Sequence, residues 1–161
     1  MSLDILFVPP RLSDAASEGG GVTSKVPMER PRRPLSRDAV AALLKLLTGV
    51  CPKGPDQNAC YAVEFDDGGF ARVDASNLTG GCKVSLRSLT PDVCRFLHSF
   101  LQAGGWVMLP VTDPKIAITS NEDPETCIAD GCARIVCATC DDLSIVLVVG
   151  LDAWQNHSNS N

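Results

Sequence analysis

The stretch from Ser88 to Val111 constrains the fold more than any other, because it carries both ends of a helix and the strand that follows it. Thr90 is a natural N-cap, Pro91 suits the first helical position, and Asp92 complements the positive end of the helix dipole. Val93, Phe96, Leu97, Phe100 and Leu101 recur at helical spacing and make one apolar stripe. Gly104 is expected to close this helix in the left-handed conformation. Residues 106–111 then run almost wholly apolar, as a strand buried on both faces would. A helix over 90–103 feeding a central strand over 106–111 is therefore the expected seat of the core.

Ser36 is placed to cap an earlier helix whose stripe is Val40, Leu43, Leu44 and Leu47, ending near Gly49. Tyr61, Val63 and Phe65 alternate with Ala62 and Glu64, the period of a half-buried strand. Asp66-Asp67-Gly68-Gly69 is a turn signal, and 70–74 and 83–89 read as further strands. Beyond the second helix, strands are expected at 106–111, 116–119, 133–139 and 143–149, the last two joined at Asp141-Asp142. The pattern predicts an α+β fold, a mostly antiparallel sheet with two amphipathic helices on one side. A helix followed by strands occurs twice, which raises the idea of a duplicated helix-plus-strands unit. One domain is expected over residues 36–155, with 156–161 a frayed tail. Residues 1–35 read as a flexible arm rich in Pro and Gly, within which 3–8 has the makings of a short edge strand.

Charge narrows the function classes. Fourteen Lys and Arg against nineteen Asp and Glu give a net charge of −5, the opposite of the basic face that a nucleic-acid binder shows. No run of about 18 apolar residues offers a membrane span, and Ile5 to Val8 is too brief for the core of an export signal. Eight cysteines without such a signal point to a cytoplasmic, reducing setting with free thiols.

Four of those cysteines, Cys127, Cys132, Cys137 and Cys140, have the C-x4-C-x4-C-x2-C spacing that a zinc site or an iron–sulfur cluster could use. Against this, Ile135 and Val136 are strand formers where a cluster loop needs flexibility, and no cysteine follows Cys140. A thioredoxin-like use of Cys137-Ala138-Thr139-Cys140 would need a helix N-terminus where a strand is expected. No metal and no cofactor is therefore expected. Cys94 reads as core. His98 lies on the helix flank and His157 in the tail, and neither completes a nucleophile–base pair. Phosphate-binding loops and H-E-x-x-H are absent from the sequence.

The acidic segment holding Glu122, Asp123, Glu125 and Asp130 is the one stretch with directional charge. The sequence thus favours a small acidic module that binds or masks a protein partner, one with a basic surface, and leaves room for a homodimer. Its size and acidity are those of an immunity protein or a secretion chaperone, an analogy of build alone. The alternatives are an enzyme whose site is scattered along the chain, or a metal or redox protein using the four cysteines.

Overall fold

Alternation of apolar and polar residues marks out the strands of the described chain, and the helix caps set where that alternation stops. The computed structural model describes residues 3–10, 33–113, 116–120 and 133–149. Along the chain run β1 (Leu3–Val8), α1 (Arg37–Val50), β2 (Cys60–Glu64), β3 (Phe70–Asp74), β4 (Cys82–Ser88), α2 (Pro91–Gly104), β5 (Val107–Pro110), β6 (Ile116–Thr119), β7 (Ala133–Val136) and α3 (Cys140–Val149). The seven strands form one sheet in the order β2-β3-β4-β1-β5-β6-β7, antiparallel except for the β6–β7 pair. The α+β class holds, with three helices among the described residues rather than two.

β1 lies at the centre of the sheet and not at its edge, paired antiparallel with β4 on one side and β5 on the other. Its inward residues Ile5 and Phe7 are fully buried, which two hydrogen-bonded flanks and a covering helix layer require. β5 is an interior strand one place out from the centre. It is shorter than the apolar run suggests: Trp106 precedes it, and Val111 is 53% exposed in the turn that follows. A helix followed by three strands occurs on either side of β1, yet the two sets are laid down differently. The first enters at the sheet edge with β2 and ends beside β1. The second starts beside β1 and ends at the opposite edge with a parallel pair.

Residues 143–149 are the last turns of α3, where a strand was expected. The local signal is a reciprocal cap. The Thr139 hydroxyl accepts the Asp142 N–H at 3.2 Å, and the Asp142 carboxylate accepts the Thr139 N–H at 3.2 Å. Asp141 and Asp142 thus open a helix rather than join two strands. α3 packs on α2, burying Leu143 and Val146, while its apolar composition all round hid the helical period.

α2 matches its sequence signals closely at the N-terminus. Thr90 is the N-cap, its hydroxyl accepting Val93 N–H at 3.3 Å, and its carbonyl takes the N–H of Cys94 at 2.9 Å. At the other end the left-handed residue is Gly105, with φ at 58°, and not Gly104. Gly104 is needed for another reason: a Cβ there would collide with the indole of Trp106. That indole stacks on Phe100 with centroids 6.1 Å apart, and Phe7 meets Phe100 edge-on at 5.0 Å. The centre of the core is therefore aromatic, built from β1, α2 and the residue that enters β5.

Part of the arm is anchored. Arg33 donates its N–H to the Pro10 carbonyl at 3.1 Å, and Leu35 donates to Thr79 at 3.1 Å while packing against the core. Residues 11–32 and the tail 156–161 lie outside the described residues.

Candidate functional site

The helices cover one face of the sheet, and the other face is open along β2, β3, β4 and β1. Period-two alternation decides which side chains stand there. Ile5, Phe7, Tyr61, Val63, Ala71, Val73, Val84 and Leu86 point into the core. Their neighbours along the strands point outward: Asp4 and Leu6 on β1, Lys83, Ser85 and Arg87 on β4, Phe70, Arg72 and Asp74 on β3. Across the ladder Leu6 stands opposite Lys83 on one side and Leu109 of β5 on the other, a small apolar spot within a polar field. Leu6 keeps 39% of its surface exposed. Further along β4, on the same face, the guanidinium of Arg87 sits 4.5 Å above the Phe70 ring. Toward β6 this face closes, and the outward residues Val107, Ala117 and Thr119 are themselves buried.

Ion pairs and hydrogen bonds fix the polar part of this face. Lys83 Nζ lies 3.0 Å from Asp4, and Arg72 lies 4.0 Å from Asp56. A hydrogen bond from Ser85, then Lys83, holds the Asp4 carboxyl below its usual range. Asp74 is held low in the same way by the hydroxyl and N–H of Ser76. These carboxylates stay charged well into acid, so the face keeps its mixed-sign pattern across neutral pH.

The free edge of β2 is blunted. Asp56 accepts the N–H of Cys60 at 3.0 Å through its carboxylate and donates its own N–H to the Cys60 carbonyl at 2.9 Å. The Cys51 thiol reaches the Ala62 carbonyl at 3.3 Å. An edge occupied in this way resists pairing with a foreign strand, which leaves the open face as the larger candidate surface.

The residues singled out from sequence fall in different places. Glu122, Asp123, Glu125, Asp130, Cys127 and Cys132 all lie outside the described residues. Cys137 follows β7, fully buried in the core, and burial pushes its thiol up to about 12. Cys140 occupies the first position of α3, partly exposed, so C-x-x-C does stand at a helix N-terminus. It is the second cysteine, however, that holds the position of the first in a thioredoxin-like site. Among the described residues no group of three His, Cys, Asp or Glu side chains is arranged to hold a metal ion. His98 is buried, with Nε2 3.1 Å from the Cys137 carbonyl; a carbonyl only accepts, so Nε2 carries the proton. It is a satisfied core histidine that ties α2 to the start of α3.

A cleft of about 350 Å³ opens where the start of α1 meets the end of α2, lined by Arg33, Leu35, Ser36, Ala39, Gly104 and Gly105 among others. It carries one cation and otherwise small or apolar groups. The buried indole N–H of Trp106, which lies against Gly104, has no hydrogen-bond partner among the described residues.

The Phe70–Arg87 pair and the Leu6–Leu109 spot were not singled out from sequence. The signal for them was present in the charges at alternate positions of β3 and β4, where Arg72, Lys83 and Arg87 had to face away from the apolar side. Among the described residues no helix is long and apolar enough to cross a membrane. A scan against protein-family models and searches of curated proteins and of solved structures found no match.

Proposed function

We propose that this chain is an interaction module that binds or masks a protein partner, and that the open sheet face receives it. The observation that carries this reading is the surface around Leu6. An exposed leucine and its half-buried neighbour Leu109 sit beside the Lys83–Asp4 ion pair, on the same face that carries the Phe70–Arg87 stack further along β4. An apolar centre with a polar rim and arginine and aromatic anchors is the anatomy of a protein interface. The net charge of −5 favours a partner with a basic surface, and Glu122, Asp123, Glu125 and Asp130 would form the acidic rim that steers it. A second copy of the chain is the other occupant to test, through its sedimentation against concentration.

A photo-crosslinking residue at position 6, with a control at Leu44 on the helix side, identifies what touches the open face in cells. The reading expects one protein to be captured from position 6 and not from position 44. Leu6→Arg should then abolish binding to that purified protein while leaving the melting temperature nearly unchanged. Retention of full affinity by Leu6→Arg would remove the sheet face from the proposal. Neutralising the four acidic residues to Gln or Asn should slow association at low salt and flatten its salt dependence. Unchanged kinetics would remove the electrostatic part.

A further inference from the structure

Where the start of β1, the end of β4 and the last turns of α3 meet, a groove of about 280 Å³ opens. Leu3, Leu86, Leu89 and Leu147 give it an apolar lining, with the exposed Arg87 and Thr112 beside them. Leu3, Leu89 and Leu147 are only partly buried against the core, so each keeps apolar surface open to the groove. Val148 and Val111, the chain neighbours of Leu147 and Thr112, are 61% and 53% exposed. Arg87 is the only charged side chain of the lining. Leu3 shares the inward side of β1 with Ile5 and Phe7, opposite to Leu6, so the groove is separate from the open sheet face.

We propose that the chain covers this groove itself, with residues 150–154 seated in it, the Trp154 ring against Leu3, Leu89 and Leu147, and Asp152 toward Arg87. Beyond Val149 the sequence continues Gly150-Leu151-Asp152-Ala153-Trp154, outside the described residues. Leu151 and Trp154 are the last large apolar residues before a wholly polar stretch, 155–161. Reach is sufficient: Trp154 stands five residues after Val149, and five residues span up to about 17 Å when extended. A glycine at position 150 lets the backbone take the left-handed conformation that turns a chain back on itself. Size agrees as well, since a cavity of about 150 Å³ already holds a benzene ring, and the groove has room for an indole with a second side chain. Asp152 carries the charge opposite to that of the one cation in the lining. The segment begins three residues after Leu147, so its closure costs little chain entropy, and its effective concentration at the groove exceeds that of a free partner. Burying the indole there removes the remaining surface of three leucines from water and pins the end of α3 to the sheet.

Photo-crosslinking in the full chain gives the test. A benzoylphenylalanine in place of Trp154 should link, within one chain, to Leu3, Leu89 or Thr112, identified by mass spectrometry of the tryptic peptides. A link only to a second chain, only to residues remote from the groove, or no link at all would each overturn the proposal. The native residue gives a second readout. Trp106 is 2% exposed and shielded from acrylamide, so the difference between the unaltered chain and Trp154→Phe isolates the fluorescence of Trp154. Its quenching should be severalfold weaker in the folded chain than in urea. Thr112→Glu, at an exposed turn position, sets a second negative charge against Asp152 and should raise the quenching toward the urea value. Equal quenching of Trp154 in the folded chain and in urea would mean that the groove is open, and a Trp154 still shielded in Thr112→Glu would place the ring elsewhere.

Discussion

The carboxylate of Asp67, in the turn between β2 and β3, accepts the backbone N–H of Asp92 at 2.9 Å, so a hairpin caps a helix twenty-five residues further along the chain. Each N–H of the first turn of α2 then has an acceptor. Pro91 has no N–H, Asp92 gives its N–H to Asp67, and Val93 and Cys94 give theirs to Thr90. Asp67 also accepts the N–H of Gly69 at 3.1 Å, and Gly69 lies so close to Thr90 and Val93 that a side chain there would clash.

This cap makes stability depend on acid. Desolvation alone would raise the Asp67 carboxyl, but hydrogen bonds from Asp92, Thr90 and Gly69 outweigh it and hold the group below its ordinary range. A depressed carboxyl contributes stability that is present above the unfolded value near 3.9 and lost as pH falls through the lower folded value. Urea midpoints between pH 7 and pH 2.5 should fall below about pH 4, and Asp67→Asn should fall less steeply. Thr90→Ala, which removes the other cap, should cost about 0.5–2 kcal/mol at pH 7.

Alkali should act through thiols. Burial pushes Cys82 and Cys137 from 9.0 up to about 12. A group raised in the folded state stabilises fully below its unfolded value and loses that contribution as pH climbs toward the folded one. Stability should therefore decline between about pH 9 and pH 12, by at most about 1.4 kcal/mol per pH unit for each thiol. Urea unfolding at pH 8, 9 and 10 measures it, and the double variant Cys82→Ala, Cys137→Ala should show a shallower decline from a lower start. An equal slope would assign the loss to other groups.

Much of this architecture was legible. The caps at Ser36 and Thr90 and the turn at Asp66–Gly69 are local chemistry, and each set its element where the spacing said. Two features were not. α3 is apolar nearly all round, so Leu143 to Val149 carry no helical period; the deciding signal was the short pair Thr139 and Asp142, easily read as turn chemistry. The centrality of β1 is invisible from a six-residue run, because it arises from pairing with β4 and β5, far along the chain. The open sheet face follows from that pairing, and so it was not legible as a candidate surface.

The aromatic centre predicts the costliest core change. Phe100 is fully buried and touches Phe7, Phe96 and Trp106 with centroids 5.0, 5.6 and 6.1 Å away. Phe100→Ala should cost about 3–5 kcal/mol in chemical denaturation. Gly104→Ala should also destabilise, by about 1–3 kcal/mol, because the new methyl meets the Trp106 indole. A melting temperature unchanged by Phe100→Ala would mean that the core lies elsewhere.

The arm offers a deletion test. Pro10 and Arg33 are bridged by a backbone hydrogen bond, so the two ends of residues 11–32 already lie together. Replacing 11–32 by a short glycine-rich linker should leave the fold intact and raise stability by about 1 kcal/mol, since a shorter loop costs less entropy to close. Removing 1–10 instead should abolish cooperative unfolding. Far-ultraviolet circular dichroism and a urea titration distinguish the two, and a folded chain lacking residues 1–10 would contradict the central place of β1.

That placement also bears on how the chain finds its structure. β2, β3 and β4 pair with near neighbours in sequence, whereas β1, first among them, waits for Leu86 and Val84 on one flank and Met108 on the other. The contacts that join the two wings of the sheet are thus the most distant in the chain, and their loop-closure cost falls on a single strand. The chain is expected to fold slowly for its size, with insertion of Ile5 and Phe7 as the event that commits both wings to one sheet.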